Sequence, residues 1–140
     1  IPQFRARREG VIVNVTSTVT LKSLPLLAVY TASKAAVNAF SESLALELKE
    51  FNVRVAVVLP GRAPATKFGE NAQAAQRLVI SEPYQSLFAN VMKGWTESKE
   101  PVTHAADVAE AIWKTVNEPS TPMLLPAGED AKIWAKEGGL

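Results

Sequence analysis

Two short apolar runs stand out along the chain, Val11 to Val15 and Val53 to Leu59. Both are rich in β-branched residues and apolar on both faces, which predicts strands buried between helical layers of a parallel sheet. Between them, Val37, Phe40, Leu44, Leu48 and Phe51 recur at steps of three or four. That spacing predicts a helix over Val29 to Phe51 with a core-facing stripe. Ala35, Ala39 and Leu46 give this helix a second apolar side, expected of a deeply buried helix or one in an oligomer contact. The connection through Asn52 is short enough for a right-handed β-α-β unit.

Weaker patterns flank this unit. Ile1 to Glu9, with Pro2 and three arginines, reads as a helix end stopped by Gly10. From Arg62 to Pro101, Phe68, Leu78, Val79, Ile80, Leu87, Phe88, Val91, Met92 and Trp95 are interspersed with Gly69, Pro83 and Gly94, and short helices between turns are expected. Thr103 is a good N-cap for a helix running to Asn117, with Ala105, Val108, Ile112 and Val116 on one face. Pro122 to Pro126 reads as a short strand at a sheet margin, because a proline at each end suits an edge. Gly128 to Leu140 reads as a short amphipathic helix using Ile133 and Trp134. The fold class that results is α/β, a doubly wound parallel sheet represented by about three strands with flanking helices.

Composition narrows the classes of function. The 140 residues suit one domain, and 47% apolar with 21% charged residues is ordinary for a globular protein. A net charge of +1 gives no electrostatic case for nucleic acid, and Arg5, Arg7 and Arg8 read as a solvated helix end. With no cysteine there is no disulfide framework and no thiolate chemistry. The longest apolar run is too short for a membrane span and is interrupted by Arg54, so no membrane partner is expected. His104, the single histidine, lacks partners for a metal site, and a first-turn position in solvent is expected. A cytoplasmic setting is expected.

Ser17, Tyr30 and Lys34 carry the chemistry. In a helix, Tyr30 and Lys34 are i and i+4 neighbours, so phenol and ammonium share a face. An unperturbed phenol holds its proton too tightly to be a good base at neutral pH, and a nearby ammonium favours the phenolate. Two opposite charges about 5 Å apart at an effective dielectric near 20 interact by roughly 3 kcal/mol. Ser17, at the exit of the first strand, lies at the sheet edge where ligands bind in open α/β folds. Singly, each residue has an ordinary structural reading: a turn cap, a packing ring and a snorkelling lysine.

Together with Asn14-Val15-Thr16-Ser17 before them, Ala-Ser-Lys-Ala-Ala-Val around them and Pro60-Gly61 after them, these residues resemble the short-chain dehydrogenase/reductase family. The resemblance implies a Rossmann-like fold and NAD or NADP as cofactor. It implies that Tyr30 exchanges a proton with the substrate, Ser17 orients the substrate oxygen, and Lys34 holds the cofactor ribose while tuning Tyr30. It also implies that the backbone after Pro60-Gly61 contacts the nicotinamide carboxamide, which makes Gly61, Ala63 and Thr66 candidate cofactor residues. The family's Thr five residues after the Pro is Ala65 here, and Pro64 removes a backbone donor. Trp95 is a pocket-lining or lid-packing candidate, and the amide of Asn14 could anchor the strand end.

The Gly-rich dinucleotide turn and the family's fourth catalytic residue, an Asn, would lie upstream of Ile1, and no G-x-G-x-x-G occurs in the chain. The expectation is therefore a single partial domain, residues 1–140, the C-terminal half of such a protein. The function expected of the whole is interconversion of a secondary alcohol and a carbonyl by an NAD(P)-dependent homodimer or homotetramer acting on a small molecule, the apolar residues from Phe68 to Trp95 pointing to an apolar one. The alternative is a catalytically silent fragment or oligomerisation scaffold. A lone fragment would leave the edge of Val11 to Val15 open.

Overall fold

The longer apolar run becomes the middle of the sheet. In a computed structural model describing residues 1–76 and 79–140, β1 (Gly10–Val15), β2 (Val53–Pro60) and β3 (Leu124–Ala127) form a parallel sheet in the order β1-β2-β3. Gly10 lies opposite Val53, Val15 opposite Val58, and Val57 opposite Leu124. Because β2 has a neighbour on each side and helices on each face, Val57, Val58 and Leu59 are wholly buried. Each such side chain stabilises the fold by roughly 1.5–3 kcal/mol.

Alternation along β2 sorts the helices onto two faces. Val53 and Val55 pack against Leu44 and Leu48 of α2 (Ala28–Leu48), with Phe4, Ile12 and Phe51 around them. On the other face Val58 and Ala127 pack against Ala111 of α5 (Ala105–Asn117), joined by Val13, Val108, Ile112 and Leu125. Arg54, the charge that interrupts the run, reaches out of the sheet and donates to the Val116 carbonyl at 2.9 Å, satisfying a carbonyl of the last turn of α5.

Several expectations are corrected. The first helix, α1 (Pro2–Arg7), ends on a left-handed Arg8 rather than on Gly10. Gly10 is needed for another reason: a side chain there would run into the Phe4 ring. β1 is half-buried rather than buried, and Val15 is exposed, because β1 is an edge strand. In α2 the stripe facing the sheet is Ser41, Leu44 and Leu48, while Phe40 is 58% exposed. A polar residue holds the place the hydrophobic period assigns to Phe40, because Ser41 accepts a hydrogen bond from Asn14 at 2.8 Å. The α-helix closes at Leu48 and a 3₁₀ turn carries the chain to Phe51.

The later segments follow the same pattern of agreement with local shifts. The expected short helices are α3 (Phe68–Gln76) and α4 (Gln85–Glu97), the latter preceded by a 3₁₀ turn at Glu82–Tyr84. Phe68, Val79, Leu87, Met92 and Trp95 are all exposed, and Leu78 lies outside the described residues. The N-cap of α5 is His104, whose backbone N–H donates to Asp107 Oδ2 at 2.7 Å, and not Thr103. The buried face of α5 is Val108, Ala111, Ile112 and Thr115, leaving Ala105 and Val116 outside. In α6 (Glu129–Glu137) the residues that turn inward are Asp130, Ala131 and Ala135, with Trp134 half-buried and Ile133 exposed. Among the described residues no helix is long and apolar enough to cross a membrane.

Candidate active site

All three strands run in the same direction, so their exits lie on one edge, and that edge gathers the candidate residues. At the exit of β1, Ser17 is extended and caps a 3₁₀ turn, Thr18–Thr20, its Oγ accepting from Val19 N–H at 3.3 Å. Ser17 is buried, as are Thr16 and Thr18. Thr18 Oγ1 donates to the Pro60 carbonyl at 3.1 Å and Thr16 N–H to the Val58 carbonyl at 3.0 Å, so the exits of β1 and β2 are tied together.

The loop from Leu21 to Leu27 then delivers the start of α2. Leu26 within it holds a left-handed backbone, φ 65°, a conformation that costs a side-chain-bearing residue roughly 1–2 kcal/mol. Tyr30 and Lys34 emerge half-buried one turn apart, with Lys34 Nζ 5.6 Å from the centre of the Tyr30 ring. Phe68 meets the same ring edge-on at 6.1 Å, which brings the segment after β2 up to the phenol. Among the described residues no side-chain hydrogen bond joins Ser17, Tyr30 and Lys34 to one another, and Lys34 makes no ion pair. Two further side chains of α2 grip the β1 exit: Ser41 takes the Asn14 amide, and Asn38 donates to Thr20 Oγ1 at 3.1 Å. Asn14 thus does anchor the strand end.

A second constellation builds the turn after β2, and sequence reasoning missed it. Asp130 and Thr103 are both buried side chains, brought together by α6 and by the segment before α5. Asp130 Oδ2 accepts from Arg62 N–H at 2.7 Å, and Thr103 Oγ1 accepts from Gly61 N–H at 2.9 Å. The Thr103 hydroxyl has one proton to place between Asp130 Oδ1 at 2.7 Å and the Ala127 carbonyl at 2.9 Å. Thr103 N–H returns a bond to the Arg62 carbonyl at 2.8 Å. Thr103 is recruited here, which is why the cap of α5 falls to the next residue.

Both glycines of this constellation follow from it. A Cβ on Gly61 would fall on the Asp130 carboxylate, and one on Gly128, itself at φ 102°, would fall on Thr103 Oγ1. The Gly61 amide is thereby spent inside the protein. Further along, Thr66 Oγ1 donates to the Ala63 carbonyl at 2.8 Å and accepts from Phe68 N–H at 3.3 Å, so it closes the turn that starts α3. Gly61, Ala63 and Thr66 therefore share one stretch between the β2 exit and Tyr30. Trp95, half-exposed on α4, contributes its carbonyl to Arg62 Nη1 at 2.8 Å. A shallow cleft near the loop before α2 is lined by Leu26, Val79, Ile80, Ser81 and Tyr84.

The family model for short chain dehydrogenases matches residues 1–77, more than half of the chain. The chain belongs to the short-chain dehydrogenase family. A 3-ketodihydrosphingosine reductase from Bacteroides thetaiotaomicron is 30% identical over 128 residues, which are 91% of this chain and 47% of that protein. Among solved structures, a short-chain dehydrogenase from Streptomyces avermitilis matches with a TM-score of 0.74 at 26% identity, over 97% of this chain and 48% of the other. An NAD⁺-bound xylitol dehydrogenase matches with a TM-score of 0.67 at 25% identity, over 91% and 51%. The chain thus spans about half the length of the family members it matches. The parallel α/β fold read from the apolar runs, Rossmann-like by the family resemblance, is the fold of these neighbours.

Proposed function

We propose that the chain is the C-terminal half of an NAD(P)-dependent oxidoreductase that interconverts a secondary alcohol and a carbonyl by hydride transfer. The observation that carries this reading is the pairing of Tyr30 with Lys34 on one face of α2, a helix hydrogen-bonded through Asn38 to the turn that Ser17 heads, at the exit edge of a parallel sheet. The chemistry of the donors suits a nicotinamide nucleotide. Lys34 is half-buried with no acidic partner among the described residues, so its ammonium is available to ribose hydroxyls. Family members of similar fold are described bound to NAD⁺, and the preference between NAD and NADP is not encoded in these residues.

A nicotinamide held there supplies the hydride acceptor or donor. The residues of the chain do the rest. Ser17 holds the substrate oxygen by a hydrogen bond, and Tyr30 takes the proton from an alcohol or returns it to a nascent alkoxide. Lys34 would hold the ribose hydroxyls of that cofactor. Gly61, Ala63 and Thr66, in the stretch that leads from β2 to Phe68, would be the further cofactor residues. The apolar side chains from Phe68 to Trp95, of which Phe68 meets the Tyr30 ring, support a substrate with an apolar portion.

The helix that carries Tyr30 also supports a homo-oligomer, dimer or tetramer, because Val29, Phe40 and Leu46 stand 85%, 58% and 77% exposed on it. Those exposed side chains are also what the rival reading, a silent scaffold, would use. Turnover by the native polypeptide on a panel of alcohols and ketones, followed by nicotinamide absorbance, tests the proposal. Loss of turnover in Ser17→Ala supports it, since a donor to a developing oxyanion is worth on the order of 10²–10³ in kcat. Saturable binding of NADH or NADPH by residues 1–140 alone, measured by calorimetry, contradicts the partial-domain reading. A cytoplasmic location is part of the same proposal.

A further inference from the structure

The three candidate catalytic side chains come from two separate elements, and something must set the distance between them. Tyr30 and Lys34 are fixed to α2, whereas Ser17 sits at the head of a short 3₁₀ turn. The loop Leu21 to Leu27 separates the two in sequence, and lateral bonds between α2 and the segment around Ser17 tie them directly.

We propose that Asn38, acting through Thr20, is a positioning residue that fixes Ser17 relative to Tyr30. The inference rests on the oxidoreductase reading given above. The Ser17 carbonyl accepts twice from Thr20, from its N–H at 3.3 Å and from Oγ1 at 3.0 Å. The hydroxyl proton of Thr20 being used there, its oxygen accepts from Asn38 Nδ2 at 3.1 Å. Asn38 follows Lys34 by four residues and Tyr30 by eight, so it lies on their face of the helix. On the other side of Ser17, Asn14 Nδ2 donates to Ser41 Oγ at 2.8 Å, and Ser41 Oγ donates to the Val37 carbonyl at 2.7 Å. Ser17 is bracketed by two bonds to the same helix that bears the phenol.

The state of the Asn38 amide shows which half of it matters. Its Oδ1 is buried and has no hydrogen-bond partner among the described residues. An orphaned buried acceptor costs the desolvation of that atom, and a leucine of similar size would avoid the cost. A residue serving only to fill space would not carry this penalty. What the asparagine adds over leucine is the donor to Thr20.

This makes a prediction that separates positioning from stabilisation. In the native polypeptide, with a substrate from the alcohol and ketone panel, Asn38→Leu is expected to hold or raise the thermal midpoint and to leave the NAD(P)H dissociation constant, read by fluorescence, unchanged. Its kcat is expected to fall on the order of 10- to 100-fold, the scale of a misplaced reacting group. Thr20→Val should lower kcat similarly, Thr20→Ser should restore it, and the Asn38→Leu/Thr20→Val double variant should be no worse than either alone, because the two act as one link. Wild-type kcat in both single variants overturns the positioning role while leaving the oxidoreductase reading in place. So does a kcat that falls only in step with the thermal midpoint. Wild-type protein with no turnover, or Tyr30→Phe as active as wild type, overturns the oxidoreductase reading and this one with it.

Discussion

Two walls meet at the exit edge of the sheet, and they are built on opposite principles. The turn after β2 is locked from inside: Asp130 and Thr103, both buried, take the N–H groups of Gly61 and Arg62, and two glycines make room for them. The wall of Tyr30 and Lys34 is half-buried, and among the described residues its two side chains meet a ring edge and a charge over a ring, while Asn38 one turn on bonds the turn beneath it. One wall spends its polar groups on the fold. The other leaves the Tyr30 hydroxyl and the Lys34 ammonium without a hydrogen bond or ion pair among the described residues. Under the proposed function the first is a supporting surface and the second a reacting one.

The comparison can be broken most sharply at Tyr30. Tyr30→Phe removes a hydroxyl that bonds nothing among the described residues, so kcat in the native polypeptide should fall on the order of 10²–10⁴-fold while the thermal midpoint holds. A drop in midpoint would place the phenol with the fold instead. Asp130→Ala should do the reverse. It leaves the Arg62 N–H without its acceptor, at about 1–3 kcal/mol, while the Thr103 hydroxyl keeps the Ala127 carbonyl, and urea unfolding should register the loss. A variant as stable as wild type would mean that the second wall is not locked by its carboxylate.

Smaller effects are expected where contacts are exposed. Lys22 bridges from the loop after the 3₁₀ turn to Glu137 of α6 at 3.2 Å and stacks over Trp134, with both charges well exposed. Lys22→Met should cost about 0–1 kcal/mol by the same unfolding measurement, and less in high salt. The least is expected of Lys114, whose hydrogen bond and charge pairing with Glu110 raise its pKa above the ordinary 10.5. A raised pKa makes the contribution whole at neutral pH and removes it as pH climbs through the folded value. Glu110→Gln should therefore leave the neutral-pH unfolding curve nearly unmoved, and any difference from wild type should shrink further in alkali.

Much of this architecture was legible in the order of residues. The apolar runs located β1 and β2, the step of three and four located α2, and the paired prolines located β3 at an edge. The errors have one physical origin. Hydrophobic periodicity assigns buried positions to apolar residues, so it chose Phe40 where Ser41 is buried, and it had no reason to turn Asp130 inward. Capping preference favoured Thr103 over His104 because a threonine's role in a distant carboxylate network leaves no local trace. In the candidate site, Tyr30 and Lys34 were legible because four residues is one helical turn. Asn38 was open to the same rule, one turn further on, and its partner Thr20 was not, since nothing in sequence says where a loop returns.

β1 lies at the margin of the sheet, and the alternation of its backbone turns this into a measurable pattern. Thr16 N–H points to β2, so the amides of Asn14 and Ile12 do likewise, and those of Val11, Val13 and Val15 point the other way. Hydrogen exchange along this strand should therefore read as a comb, slow at even numbers and fast at odd ones, wherever the outer margin is bare. If a further strand docks there in the native polypeptide, the odd-numbered amides will slow to match. Three valine amides thus serve as a built-in gauge of whether the sheet has been completed.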